Sequence, residues 1–193
     1  MEIIKDFLSV NEYSRPSKKN KCVHGIVIHW TANPMASAKT NRDFFENRRL
    51  GLSGYGSAHY IVGIKGEVIQ CIPDDEVAYH VGTSLIDPKS KKVYTDEAGA
   101  RFGHFCDHPN NSPNNCTIGI ELCPIDNKGN FTEETLKSAA ELCADICKRH
   151  GLSARDITTH HDVVGWKDCP RLWTNNPDML DSFRVAVSLE ITR

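Results

Sequence analysis

His29, His160 and Cys169 are residues of the types that a catalytic zinc ion takes as ligands, neutral imidazole nitrogen and thiolate sulfur. Three such ligands leave the fourth position of a tetrahedral ion open to water, which separates a hydrolytic site from a closed structural one. One donor ends an apolar run, and the other two lie close together far down the chain. That spacing permits a shared ion without requiring one: His29 reads equally as a satisfied core histidine and Cys169 as a buried thiol. A carboxylate, Glu121, interrupts the apolar run Thr117 to Leu122, where burial is costly without a partner or a role. By itself it is either a general base or a structural acceptor of hydrogen bonds. Lys167, just before Cys169, reads by itself as a surface lysine.

The elements that must position these groups are an apolar, β-branched run from Gly25 to Trp30 and a second buried-strand pattern from Cys116 to Leu122. Ala58 to Ile64 and Glu67 to Ile72 flank Lys65-Gly66 as a hairpin. Residues 36–49 have helical composition, with Phe44 and Phe45 as expected core contacts. Thr132 N-caps an amphipathic helix that runs to about His150, with Leu136, Ala139, Ala140, Cys143 and Cys147 on one face and Gly151 as the stop. A last helix starts near Pro177 and turns Met179, Leu180, Phe183 and Val187 inward. Residues 1–24 read as a polar lead-in, and 83–115 as a long surface excursion. Strands separated by helices predict an α/β fold: a single domain, residues 1–193, with a central mixed β-sheet flanked by helices.

The 193 residues, 39% hydrophobic and 25% charged, suit one domain with its own core. A formal net charge of -2 gives no basic face for nucleic acid, and no stretch is apolar enough to enter a membrane as a span. Eight cysteines in a chain this rich in ordinary core residues predict buried thiols more than a disulfide scaffold. Charges in Met1-Glu2-Ile3-Ile4-Lys5-Asp6 stand where a signal peptide has its apolar run, so synthesis in the cytoplasm without Sec export is expected.

Five segments occur in order: Ile26-Val27-Ile28-His29-Trp30-Thr31-Ala32, Ser57-Ala58-His59-Tyr60, Ala78-Tyr79-His80-Val81-Gly82, Thr117-Ile118-Gly119-Ile120-Glu121-Leu122, and His160-His161-Asp162-Val163 continuing to Lys167-Asp168-Cys169-Pro170. Together they resemble the N-acetylmuramoyl-L-alanine amidase type 2 family over about residues 23–187. Arg15-Pro16 with Lys18-Lys19, then Ala36-Ser37-Ala38 and Asn41-Arg42 before Phe44, look more specifically like the catalytic domains of endolysins from phages of Gram-positive bacteria.

The resemblance implies one Zn2+ held by His29, His160 and Cys169. Some family members carry an aspartate as the third ligand; Asp168 is one residue out of register. His161 competes with His160, and the position of Asp162 favours His160, with Asp162 orienting the loop or an imidazole. Glu121 matches the family's general base, more so because Ala58 stands where some relatives place a catalytic tyrosine. Lys167 matches a lysine that stabilises the developing oxyanion. His80, Trp30 and Ala58 are expected to contact substrate, and His59 to support the sheet or the pocket wall. The implied reaction is hydrolysis of the amide between N-acetylmuramic acid and L-alanine in peptidoglycan, by an endolysin or autolysin that reaches the cell wall after holin-dependent release or lysis.

Other readings share these residues. A cytosolic recycling amidase would apply the same chemistry to smaller muropeptides. A non-catalytic peptidoglycan-binding module would keep the fold and lose a ligand. A purely structural zinc would need a fourth donor from His161, Cys106, Cys116 or Cys123. Cys106, His108 and Cys116 match no standard ligand spacing and are read as side chains in or beside a substrate-facing loop. The chain ends soon after its last helix, as either a lone catalytic domain or one truncated before a wall-binding domain. Oligomeric state has no signature in this sequence.

Overall fold

The computed structural model describes residues 2–20, 22–106 and 112–193. A six-stranded sheet in the order β1-β4-β3-β5-β2-β6 forms its centre. The strands are β1 (Ile3–Lys5), β2 (Gly25–Trp30), β3 (Tyr60–Val62), β4 (Val68–Gln70), β5 (Thr117–Leu122) and β6 (Ile157–Thr159). Only the β3–β4 hairpin pairs antiparallel, so the sheet is mixed as expected. Gly66, with φ of 79°, makes the left-handed turn of that hairpin.

Every residue of β2 is buried, which explains its unbroken apolar reading. Alternation then sorts the two central strands. Ile26 and Ile28 of β2 and Ile118, Ile120 and Leu122 of β5 point into the main core beneath α3 (Glu133–His150) and α6 (Asp178–Ile191). Thr117, Gly119 and Glu121 face the other way, alongside Val27 and His29 in the register Val27↔Gly119 and His29↔Glu121. Helix α3 begins where expected: the Thr132 side chain accepts from Thr135 N, and Gly151 ends the helix in the left-handed region. In α6, Leu180, Phe183 and Val187 are buried, and Met179 packs against the same core.

The opposite face is covered by α1 (Ala38–Asn47) and by two short helices, α2 (Asp96–Phe102) and α4 (His160–Val164). A further short helix, α5 (Arg171–Asn175), contributes Trp173 to the main core.

Three expectations change. The lead-in is not merely polar: Ile3–Lys5 pairs parallel with β4, and Leu8 is buried. Arg42 of α1 secures it by donating to the Asp6 and Phe7 carbonyls at 3.1 and 2.7 Å. Phe45 packs into the core while Phe44 is 51% exposed beneath the Arg48 guanidinium, because successive helix positions diverge by about 100°. Finally, the 83–115 excursion contains α2, N-capped by Thr95, and this helix buries Ala98 and Phe102 with Tyr94 against Val163 and Val164 of α4. Phe102 also reaches β2, where a Cβ on Gly25 would lie 3.1 Å from its ring. The excursion thus buttresses α4. No disulfide joins the cysteines whose side chains are described, of which all but Cys22 are buried.

Candidate metal centre and cleft

The carboxyl ends of three parallel strands converge on one side of the sheet. β2 brings His29, β5 brings Glu121, and His160 opens α4 directly after β6. His160 therefore stands at a helix start and not on a loop. The turn is set by a capping box: Thr159 accepts from Asp162 N, while the Asp162 carboxylate accepts from Thr159 N at 3.1 Å. Asp162 orients the backbone in this way, and among the described residues its carboxylate's hydrogen bonds go to Thr158 and Thr159 and not to an imidazole. The segment after α4 returns so that Cys169 O accepts from His161 N at 3.0 Å, bringing the thiol back over His29.

His160 Nδ1 lies 3.0 Å from His29 Nδ1, and Cys169 Sγ lies 3.7 Å from the same atom. All three donors are buried and fall within 4.8 Å of one another. Donors on a tetrahedral zinc stand about 3.3 Å apart for two nitrogens and about 3.6 Å for nitrogen and sulfur, so the set fits that ion. Burial and the neighbouring imidazoles hold His29 well below the ordinary histidine range. His160 is brought down to about 3 by burial, with Lys167 and His161 adding to the effect. Both rings are therefore neutral, with lone pairs to donate. Burial pushes the Cys169 thiol up to about 12, so a thiolate there needs a cation beside it.

His161 lies outside the cluster and its Nδ1 donates to Lys167 O at 3.1 Å; Asp168 is exposed. Among the described residues no fourth His, Cys, Asp or Glu joins the three donors. The side chain of Cys106 and the whole of His108 lie outside the described residues.

Glu121 sits beside His29 across the β2–β5 pair. The residue keeps an edge open to the cleft, but its Oε2 is buried with no hydrogen-bond partner among the described residues. Loss of water raises its carboxyl to about 7, and the charge of Lys167 offsets part of that rise. A cleft of about 520 Å³ opens in front, with Glu121, His160 and Lys167 among its lining and Tyr55, Tyr79 and Trp166 along its walls. Trp30 and Cys169 line a smaller adjoining hollow of about 240 Å³. The Trp30 ring also carries the Arg171 guanidinium, 5.1 Å from its centroid.

Ala58 is a correction. It is fully buried in a secondary core with Ala38 and Ile61, and neither hollow reaches it, so it is a packing residue and not a substrate contact. His59 supports the sheet as expected: Nδ1 accepts from Gly119 N at 3.0 Å, and Nε2 donates to Glu76 O at 2.9 Å.

Asn114 was not anticipated. Its Oδ1 accepts from the backbone N–H of His80, Val81 and Gly82 at 3.1, 2.8 and 3.1 Å, fixing the segment that carries His80. A Cβ on Gly82 would come within 2.4 Å of the Asn114 amide. The one sequence signal was the pairing of an Asn-rich turn with Val81-Gly82, which is too general to single it out.

Fold and site together define an α/β domain able to hold a metal ion next to a buried carboxylate. Residues 18–172 match the N-acetylmuramoyl-L-alanine amidase family, and the chain belongs to that family. It is 38% identical over 187 residues to a probable N-acetylmuramoyl-L-alanine amidase of Bacillus licheniformis, covering 97% of this chain and 47% of that protein. The N-acetylmuramoyl-L-alanine amidase CwlL of the same organism is 37% identical, with the same two shares. The chain thus spans about half the length of these curated relatives. In fold it is similar to a mutant endolysin from Bacillus subtilis, with a TM-score of 0.68 at 23% identity over 97% of this chain and 99% of that one.

Proposed function

We propose that this chain hydrolyses the amide between N-acetylmuramic acid and L-alanine in peptidoglycan, as the catalytic domain of a phage or prophage endolysin. The observation that carries the reading is the Glu121 carboxylate, whose Oε2 is buried without a hydrogen-bond partner among the described residues, beside three mutually facing metal donors. Family membership and the naming of the curated relatives as N-acetylmuramoyl-L-alanine amidases support the substrate. The endolysin role rests on the likeness to the Bacillus subtilis endolysin fold and on the lead-in motifs around Arg15 and Asn41.

His29, His160 and Cys169 would hold a zinc ion, which when bound supplies Lewis acidity toward water and the scissile carbonyl. The remaining chemistry belongs to the chain. Glu121, titrating near neutrality, accepts a proton from the attacking water and returns it to the departing L-alanine nitrogen. The Lys167 ammonium, at the mouth of the cleft, stabilises negative charge developing on the carbonyl oxygen. The aromatic walls from Tyr55, Tyr79 and Trp166 offer flat apolar surfaces to sugar rings and to the lactyl-peptide arm.

Digestion of purified peptidoglycan with and without a chelator, followed by mass analysis, tests this. New amino groups on L-alanine, without new reducing ends and abolished by the chelator, are expected. Reducing ends would identify a glycosidase and end the reading.

A further inference from the structure

The resemblance implies that His80 contacts substrate, and the residue does line both hollows; its ring bonds point to a further role. His80 is 9% exposed, and both ring nitrogens are engaged within the protein. Nδ1 lies 3.0 Å from His29 Nε2, and Nε2 lies 3.1 Å from the Thr117 hydroxyl oxygen. Thr117 in turn donates to Pro113 O at 2.6 Å.

The direction of these bonds follows from that last one. A hydroxyl has a single proton, and Thr117 gives it to a carbonyl that can only accept. Thr117 Oγ1 must then accept from His80, which places the His80 proton on Nε2. His80 is buried, and its two nitrogens meet an imidazole and a hydroxyl with no carboxylate at either, so an unpaired charge would be costly, the ring is neutral and its Nδ1 carries a lone pair. That lone pair accepts from His29, fixing the His29 proton on Nε2. The remaining lone pair of His29, on Nδ1, faces His160 Nδ1 and Cys169 Sγ.

We propose that His80 is a positioning residue which, oriented by Thr117, locks His29 in the tautomer that presents Nδ1 to the metal. The proposal rests on the metal reading above. The sheet is shaped for this arrangement. Thr117, Gly119 and Glu121 share one face of β5, and the His80 ring lies directly over Gly119, where a Cβ would come within 2.5 Å of it. Asn114 holds the His80 backbone from the other side. A single strand face therefore carries the orienting hydroxyl, the space for the imidazole and the catalytic carboxylate.

The direct test is NMR of the imidazole nitrogens in the metal-free wild-type protein at neutral pH. A protonated Nε2 and a bare Nδ1 on His29 are expected; the opposite tautomer overturns the proposal without any variant. Zinc affinity, measured by chelator competition, gives the second readout. Thr117→Val and His80→Leu should each weaken binding by about 10–100-fold, the usual scale for losing the partner of a ligand imidazole. Thr117→Ser, which keeps the hydroxyl, should stay within about threefold of wild type. His80→Asn, whose amide oxygen replaces the Nδ1 acceptor, should recover most of the loss seen with leucine. Wild-type affinity in folded Thr117→Val and His80→Leu proteins would refute the relay while leaving the metal reading intact. A wild-type protein that binds no zinc would instead remove the metal reading, and the tautomer measurement would still report on the bonds.

Discussion

Glu121 faces His29 across the β2–β5 pair, and of the two it is the carboxylate that has an oxygen buried without a hydrogen-bond partner among the described residues. His29 is held on both ring nitrogens, whereas Glu121 Oε2 meets no hydrogen-bond partner among the described residues. A stability role would favour the reverse, since an unmade bond on a buried charge is costly.

If that oxygen serves proton transfer, Glu121→Gln should retain zinc and the fold but lose hydrolysis by on the order of 10²-fold or more. Product release from peptidoglycan and metal content, measured on the same preparation, check both halves. Full activity in the variant would return Glu121 to a structural role.

The same carboxyl makes stability pH-dependent in metal-free protein. Its value rises from 4.5 to about 7 on folding. A raised folded value means the contribution is fully present below 4.5 and is lost as pH climbs through about 7. Glu121→Gln has no such loss, so in chelator its stability relative to wild type should grow between those limits, by up to about 3 kcal/mol. Thermal melts at pH 5 and pH 8 measure it, and an unchanged gap between the two proteins would contradict the burial argument.

Removal of a donor should remove the ion. His29→Ala and Cys169→Ala are expected to fall from about one zinc per chain to a small fraction of that, because two remaining donors hold zinc poorly. Elemental analysis after dialysis reads this directly. Stoichiometric zinc in both variants would place the ion elsewhere.

Lys167→Ala should leave zinc content and folding unchanged, since the side chain is exposed, yet lower turnover by roughly 10- to 100-fold. The comparison with Lys167→Arg separates charge from shape: arginine should restore part of the rate.

Asn114→Ala leaves three backbone N–H groups without their acceptor. A cost of about 2–3 kcal/mol is expected, or roughly 4–12 °C in Tm for a domain of this size. Calorimetry at fixed pH with chelator present gives the number, and a shift under 1 °C would mean that other groups hold the 80–82 segment.

Local signals read well in this chain. β2 and β5 are largely apolar runs, the second interrupted by Glu121, and α3 has both its caps and its periodicity in the sequence, so these elements lie where patterning puts them. β1 was illegible because its evidence is a parallel partner, β4, more than sixty residues away and not an alternation within three residues. α2 was masked by Gly99 and by the polar stretch around it, although Thr95 followed by Asp96 and Glu97 is a fair start signal. Of the candidate site, the types of His29, Glu121, His160 and Cys169 stood out, but the motif resemblance was needed to join them. Ala58 misled because a motif position was read as a site position, when its lack of side-chain bulk suits it to a packed core. Thr117 and Asn114 were unreadable as orienting groups, since each acts through a bond to a segment more than thirty residues away.

Cys169 and His29 meet across 140 positions of chain, and β6, which sets His160, joins the sheet only late in the sequence. During synthesis the ribosome releases His29 and Glu121 long before their companions exist. A nascent chain ending before residue 160 carries only one of the three candidate donors, and the set is complete only after Cys169 has emerged. If these residues hold the ion as proposed, a product interrupted before Cys169 would lack a donor and would be inert toward peptidoglycan.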